Sequence, residues 1–443
     1  MRKLICITLA VFVSACSSSG DGGDAGFTLD SCSNSDQKRF VRDVMRDWYL
    51  WNDLLPANIS IGDFDSPEEL LAFLTTFSPD DGSGQPVDRF SFITTAAADA
   101  AFLGEGQFEG FGFISRFIAA DDLRLAVVYA DGPAGMGGLA RGQRILELNG
   151  RTIAEIQAAE GVNAVFDTSP VDFTLREPDG NEFTVSIAQG VVTIDPVPLL
   201  RIIDAGGGRN VGYFRLAQFI STAEPEFDTI FSALIAAGVN DLIIDLRYNG
   251  GGLVSTTEEL ADYLGGDIAE NLTFSETRFN ADKAASNNRT AFFSRLGNSL
   301  SLSRLAVISN SGSASASEMI PNGMDPHVDV VYVGSATSGK PVGQIGLEFC
   351  EKVIRPTAFQ LFNADGFGDY FDGLGPDCPA ADDLNIPMGD DTDPNVIAAL
   401  SYFDTGSCPV VLAPPGISKP RVATEIPQLD RRGSPERVYA DAF

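Results

Sequence analysis

The chain has 443 residues, 44% hydrophobic and 21% charged, with 45 Gly, 24 Pro, 6 Cys and a single His; it is too long for one compact core and too apolar for a disordered protein, so two or three folded domains are expected. With 30 Lys+Arg against 61 Asp+Glu, a net charge of −31, it lacks the basic footprint that a phosphate backbone requires, which excludes nucleic acid as a partner. The lone His327 excludes a multi-histidine zinc site and leaves a Ser-His-Asp triad only one possible base.

Arg2 and Lys3 precede an apolar run from Leu4 to Val13, followed by Ser14-Ala15-Cys16 and a polar Ser/Gly/Asp stretch. This is the pattern of a secretory signal, residues 1–15, and an apolar run of about ten residues is too short to span a bilayer. Small residues directly before a Cys resemble the bacterial lipobox. That resemblance implies cleavage before Cys16, lipidation of Cys16, and a place in the bacterial cell envelope; Ser17 after the Cys points to the outer membrane, facing the periplasm. A plain cleaved signal is the bland alternative. Residues 16–31 then read as a lipidated, flexible tether. Cys32, Cys350, Cys378 and Cys408 are even in number and would lie in an oxidising compartment, so two disulfides are expected. Three pairings are open. A hairpin between Cys350 and Cys378 would join those two and leave Cys32 with Cys408.

From Asp36 to Leu55, Phe40, Val44, Met45, Trp48, Tyr49 and Leu55 recur at three- and four-residue steps, which predicts an amphipathic helix. Ser66-Pro67-Glu68-Glu69 is a capped helix start leading into Leu70, Leu71, Phe73 and Leu74. Residues 32–104 therefore read as a helical N-terminal domain. From Phe108 the pattern changes to short β-like runs divided by Gly and Pro (GFGFISRFI, LRLAVVYA, RILELNG, FTVSIAQ). Together with Asp131-Gly132-Pro133-Ala134-Gly135 and the run Leu139 to Gly150, residues 105–195 resemble a PDZ domain. Gly110-Phe111-Gly112-Phe113 stands where that family keeps its carboxylate-binding loop, where glycines let consecutive N–H groups turn towards one anion.

Residues 198–405 alternate strand and helix, an α/β layer pattern. Val211–Leu216 reads as a strand, and Ser221-Thr222-Ala223-Glu224 as a capping box before a helix carrying Phe227, Ile230, Phe231, Leu234 and Ile235. Gly238 ends that helix and Asp241–Leu246 is a buried strand. A helix over Leu253–Leu264 and strands over Leu305–Ser309 and Val328–Val333 follow. Residues 406–443 are a polar, Pro-rich tail with no imposed structure.

Three polar clusters follow buried strands, where α/β folds place their sites: Asp245–Gly252, Ser309–Glu318 and Gly334–Gln344. A Ser at a strand-to-helix turn can be a nucleophile, and a desolvated Lys can fall several units from its usual pKa of about 10.4 and act as base. Lys340 is thus a better base than His327, whose context, Asp325-Pro326-His327, has no partner pattern. The phrases DLRYNGGG, NSGSASASE and TSGKPVGQ, in that order after a PDZ-like segment, resemble the C-terminal processing (tail-specific) serine peptidases, over roughly residues 105–390. Trp48-Tyr49-Leu50-Trp51 is similar to one lipoprotein branch of them.

The resemblance implies an α/β peptidase core and an acyl-enzyme mechanism with no metal or cofactor. It places the nucleophile at Ser315, the base at Lys340, the orienting amide at Gln344 and the oxyanion donors at the N–H groups of Gly251 and Ala316. It also implies protein or peptide substrates with free C-termini. Two other readings weaken on the residues. Gly334 to Lys340 has the spacing of a phosphate loop, but Pro341 stands where Ser or Thr must hold magnesium. No Lys lies three residues after a serine in the 311–317 cluster, which excludes an S-x-x-K acyltransferase. A non-catalytic PDZ scaffold, binding peptides as a lipoprotein, is the alternative from another class.

Overall fold

A computed structural model describes residues 29–409. The signal-like segment, Cys16 and almost all of the C-terminal tail lie outside the described residues.

A mixed α/β architecture is built on a sheet of order 199–204, 210–215, 241–245, 304–309, 329–334, 378–379. The first two strands are antiparallel and the others run parallel to their neighbours. Side chains alternate across each strand, so each face has its own core. Leu242, Ile244, Leu305 and Val307 pack with Phe227, Phe231, Leu260 and Met319, from the helices Glu224–Ala236, Val254–Gly265 and Ala316–Met324. Ile243, Ala306 and Ile308 pack with Val396, Ala399 and Phe403 of the helix Pro394–Thr405. All five residues of Asp241–Asp245 are buried, as expected of a strand covered on both faces.

At the N-terminal end, the helix Asn34–Trp48 starts where Ser33 accepts from the Asp36 N–H, and Pro67–Thr75 starts where Ser66 accepts from Glu69. Both buried faces meet Phe349 and Ile354, far along the chain. Phe40 stacks on Phe349 at 4.9 Å, and the strand Phe92–Thr95 pairs with Lys352–Arg355. The helical segment is therefore sealed onto the late part of the chain.

Between these parts lies an antiparallel sheet of order 113–119, 122–128, 144–148, 171–176, 182–187 around Phe111, Phe113, Phe166 and Phe173. Gln107–Gly110 and Gly190–Thr193 pair antiparallel, so the chain enters and leaves this unit side by side.

Two expectations are corrected. Ser221 does not cap the following helix: a 3-10 turn spans Ser221–Ala223, its hydroxyl donates to the Gly104 carbonyl at 2.9 Å, and Glu224 accepts from Thr256. The disulfides are Cys32–Cys350 and Cys378–Cys408, with Cα separations of 5.9 and 5.2 Å. The hairpin imagined between Cys350 and Cys378 does not form, because Thr357–Phe362 joins a separate sheet beside Thr273–Phe279. Cys350 instead turns tightly at φ +54° against the start of the first helix, and Cys378 sits on the central sheet edge beside the chain leaving the last helix.

Candidate active site

Three loops at the carboxyl ends of the parallel strands converge. The first, after Asp241–Asp245, turns through Tyr248 (φ +65°), Gly251 (φ +106°) and Gly252 (φ +137°). A Cβ on Gly252 would lie 1.9 Å from the Phe219 carbonyl, so only glycine fits. Asn249 holds the turn: its amide donates to the Leu216 carbonyl and its Oδ1 accepts the Gly251 N–H, each at 2.9 Å.

The second loop carries Ser315 into the helix Ala316–Met324. Ser313 and Ser317 beside it are structural. Ser313 donates to the Leu246 carbonyl at 2.7 Å and Ser317 to the Asn249 carbonyl at 2.8 Å, stitching this loop to the first. Ser315 differs from both. It sits at φ +56°, ψ −113°, a backbone strain worth about 1–3 kcal/mol that clusters at functional sites. Ala316 is the first helical residue, so its N–H has no intrahelical acceptor.

Lys340 arrives on the third loop and is fully buried. Its Nζ donates to Gln344 Oε1 at 3.0 Å and lies 5.2 Å from the centre of the Phe90 ring. Gln344 in turn donates to the Phe90 carbonyl at 2.7 Å. Phe90 comes from the N-terminal part, where Asp88 Oδ1 accepts the Phe90 N–H and Arg89 donates to the Ser338 carbonyl. Nothing periodic in the sequence marked Asp88-Arg89-Phe90.

Glu318 was also missed as a site residue, although its spacing from Ser315 is that of a helix cap. It is fully buried, and its Oε2 accepts the N–H groups of both Ser315 and Lys340 at 2.8 Å. Its Oε1 accepts from Thr337 and from the Gly339 N–H. One carboxylate therefore fixes the backbones of both candidate reacting residues. Burial pushes its carboxyl up, opposed by the hydrogen bonds from Thr337, Lys340, Gly339 and Ser315. The same bonds engage the Gly339 and Lys340 N–H groups, two of those a phosphate loop would need.

Behind the turn, buried Arg247 is held by Asp245, Asp393 and Asp382. Asp382 also accepts from Arg141 and lies 3.6 Å from Arg116, both on the antiparallel unit. Burial, and then the nearby Asp382, push the Tyr248 hydroxyl up to about 12, so it stays protonated and donates to Asp382.

The structure thus brings together Ser315, Lys340, Gln344, Gly251 and Ala316. His327 is elsewhere, its ring nitrogen on the Thr273 carbonyl and its edge against Phe293. Gly110–Phe113 lies in the antiparallel unit. There the Phe111 and Gly112 carbonyls accept from Ala134 and Tyr129, and Gly112 takes φ +82°. Among the described residues no group of three or more His, Cys, Asp or Glu is placed to hold a metal.

A strained serine opening a helix, a buried lysine and a glycine turn can together support covalent, serine-based chemistry. The chain belongs to peptidase family S41: residues 210–379 match that family and residues 36–92 match the peptidase S41 N-terminal domain. It is 27% identical over 240 residues to a carboxyl-terminal-processing protease of Picosynechococcus sp., covering 53% of this chain and 55% of that protein. It is 26% identical over 286 residues to the chloroplastic carboxyl-terminal-processing peptidase 3 of Arabidopsis thaliana, covering 61% and 52%. The chain spans about half the length of the curated relatives it matches. Its fold is similar to that of a putative S41 protease from Bacteroides fragilis (TM-score 0.64, 23% identity, 82% and 97% covered). It is also similar in fold to a photosystem II D1 C-terminal processing protease (TM-score 0.52, 21% identity, 82% and 100% covered).

Proposed function

We propose that the chain is a serine endopeptidase of the bacterial cell envelope that cuts protein substrates near unstructured C-termini through a Ser315–Lys340 acyl-enzyme. The observation that carries this reading is the fully buried Lys340, ordered by Gln344 and tied to strained Ser315 through Glu318. An inert scaffold, the rival reading, has no physical need of that combination.

In its neutral form Lys340 takes the Ser315 proton as Oγ bonds to the peptide carbonyl carbon, and the carbonyl π pair moves onto oxygen. Ala316 N–H faces that oxyanion. Gly251 N–H, now on Asn249 Oδ1, turns or shares to become the second donor. Collapse breaks the C–N bond, the leaving amine takes the proton from Lys340, and water deprotonated by Lys340 releases the acyl group. Residues 105–195 act as a PDZ-like domain whose Gly110–Phe113 loop takes a substrate carboxylate, and lipid on Cys16 anchors the protein to the outer membrane.

The test is cleavage of casein from neutral to alkaline pH by the parent, Ser315→Ala and Lys340→Ala proteins, with circular dichroism to check folding. Each substitution abolishes cleavage and leaves the fold intact. Normal turnover by either variant removes the dyad, and a parent that binds but never cuts peptides returns the scaffold.

A further inference from the structure

Phe90 belongs to the N-terminal part of the chain, yet it is buried against the loop that carries Lys340. Two cations lie near its ring, Lys340 Nζ at 5.2 Å and the Arg89 guanidinium carbon at 4.7 Å from the centre. Its backbone is as constrained as its ring. Asp88 Oδ1 accepts the N–H groups of Phe90 and Ser91 at 3.1 Å and the Thr357 hydroxyl at 2.9 Å, and Ser91 Oγ accepts the Thr357 N–H at 2.9 Å. Thr357 is the register partner of Gln344 on the neighbouring strand. The residue that grips the Phe90 segment is therefore the one that sets Gln344 on its sheet.

That placement decides which way the Gln344 amide turns. A backbone carbonyl can only accept, so the Phe90 oxygen takes Nε2 at 2.7 Å and leaves Oε1 for Lys340 Nζ at 3.0 Å. A neutral lysine has a single lone pair, and the proposed mechanism needs it for the Ser315 proton. With the amide reversed, Nε2 would donate into that lone pair and quench the base. The ring acts separately. At 5.2 Å it attracts an ammonium only weakly, whereas withholding water from a buried lysine moves its ionisation by several units. Exclusion of water is the larger effect. The other ionisable groups packed here are engaged elsewhere: Glu318 accepts the Lys340 backbone N–H, exposed Arg89 donates to the Ser338 carbonyl, and Asp88 is bound to Phe90, Ser91 and Thr357. Burial, and then Asp88 and Glu318 respectively, push the Tyr49 and Tyr370 hydroxyls up, so both stay protonated.

We infer that Phe90 is a positioning residue of the proposed reaction: its ring keeps water off Lys340, and its carbonyl holds the Gln344 amide in the orientation that leaves the lysine's lone pair to Ser315. This rests on the Ser315–Lys340 reading above. It makes the N-terminal part of the chain a component of the active site.

The experiment is the pH dependence of kcat and kcat/KM on a quenched fluorescent peptide of unstructured sequence, for the parent, Ser315→Ala and variants at Phe90 and Asp88. Phe90→Ala loses about 100-fold in kcat with KM little changed. Water admitted beside Lys340 favours the ammonium, so the acid limb of kcat/KM moves up by about one pH unit or more. A loss of stability alone lowers the amount of active protein without moving that limb. Phe90→Leu restores the apolar wall and returns the limb towards the parent's, while Phe90→Val shows a smaller shift and decides the matter if Phe90→Ala does not fold. Asp88→Ala keeps the ring but takes the acceptor from the Phe90 and Ser91 N–H groups; kcat falls about tenfold, and Asp88→Asn, which keeps an acceptor oxygen, restores most of it. A parental limb in Phe90→Ala or Phe90→Val overturns the role of the ring, and a parental kcat in Asp88→Ala overturns that of the carbonyl. Either failure, with Ser315→Ala inactive, leaves the dyad standing. Cleavage by Ser315→Ala at the parent's rate removes the dyad and this inference with it.

Discussion

Glu318 touches neither substrate nor the reacting atoms in the proposed mechanism, yet its Oε2 alone holds the N–H groups of Ser315 and Lys340, twenty-two residues apart from itself at the farther end. Glu318→Gln keeps the size but turns an amide NH2 towards N–H donors. We expect kcat to fall about 100-fold, because small misplacements at a reacting centre cost that much, while KM changes little. Stability falls by about 1–3 kcal/mol from the unsatisfied donors. Separate kcat and KM values with urea unfolding check this, and a parental kcat removes Glu318 from any positioning role. In the sequence the S-x-x-E spacing from Ser315 to Glu318 was readable as a helix cap. That the same carboxylate reaches Gly339 and Lys340 was not, because that contact depends on how two loops of different strands meet.

At the scale of elements, the turn after Asp241–Asp245 is shaped by Asn249 as much as by its glycines. Asn249→Asp removes the donor to the Leu216 carbonyl and sets a negative charge beside the Gly251 N–H, the donor proposed for the oxyanion. The expected result is a drop of about 100- to 1,000-fold in kcat, the size seen when an oxyanion donor is lost. Single-turnover kinetics on an ester substrate would read it, and an unaffected acylation rate would take Gly251 out of the oxyanion site. The first helix depends on a distant tie in the same way. Cys32–Cys350 closes a separation of 318 residues beside the Phe40–Phe349 stack. Replacing both cysteines by Ser lowers unfolding free energy by about 2–4 kcal/mol, and Asn34–Trp48 loses hydrogen-exchange protection first. Protection equal to the parent's would show that packing on Phe349 and Ile354 suffices. The pairing was not legible in the sequence, since four cysteines give three connectivities and only the sheet partners of residues 347–362 choose among them.

Across the whole molecule, Asp382 is the point where the antiparallel unit grips the site. Burial raises its carboxyl, but Arg247 and Arg141 and the Tyr248 hydroxyl outweigh that, so its pKa is lowered from the ordinary value. A lowered folded-state pKa means stability that is present above the unfolded value of about 3.9 and lost as pH falls through the depressed one. Acid therefore weakens the parent below about pH 4 more steeply than it weakens Asp382→Asn. At pH 7 the variant is less stable by about 3–5 kcal/mol, since it leaves buried Arg247 short of a partner. Urea unfolding at pH 7 and pH 3 measures both, and identical acid dependence would assign the loss to other carboxylates.

Local or periodic features were legible along the chain: the amphipathic helix beginning near Asp36, the capped helix start at Ser66, the buried strands, and three polar loops each following a strand. These are legible because capping, periodicity and strand ends depend on residues within a few positions of each other. The family phrases added the roles proposed for Ser315, Lys340 and Gln344. Only the tertiary structure decided the rest. Phe90 reaches Lys340 and Gln344 across some 250 residues, Glu318 binds two loops, and each disulfide ties a segment flanking a helix to a distant strand or strand turn. Each of these depends on which distant backbone packs where, which no spacing along the chain encodes.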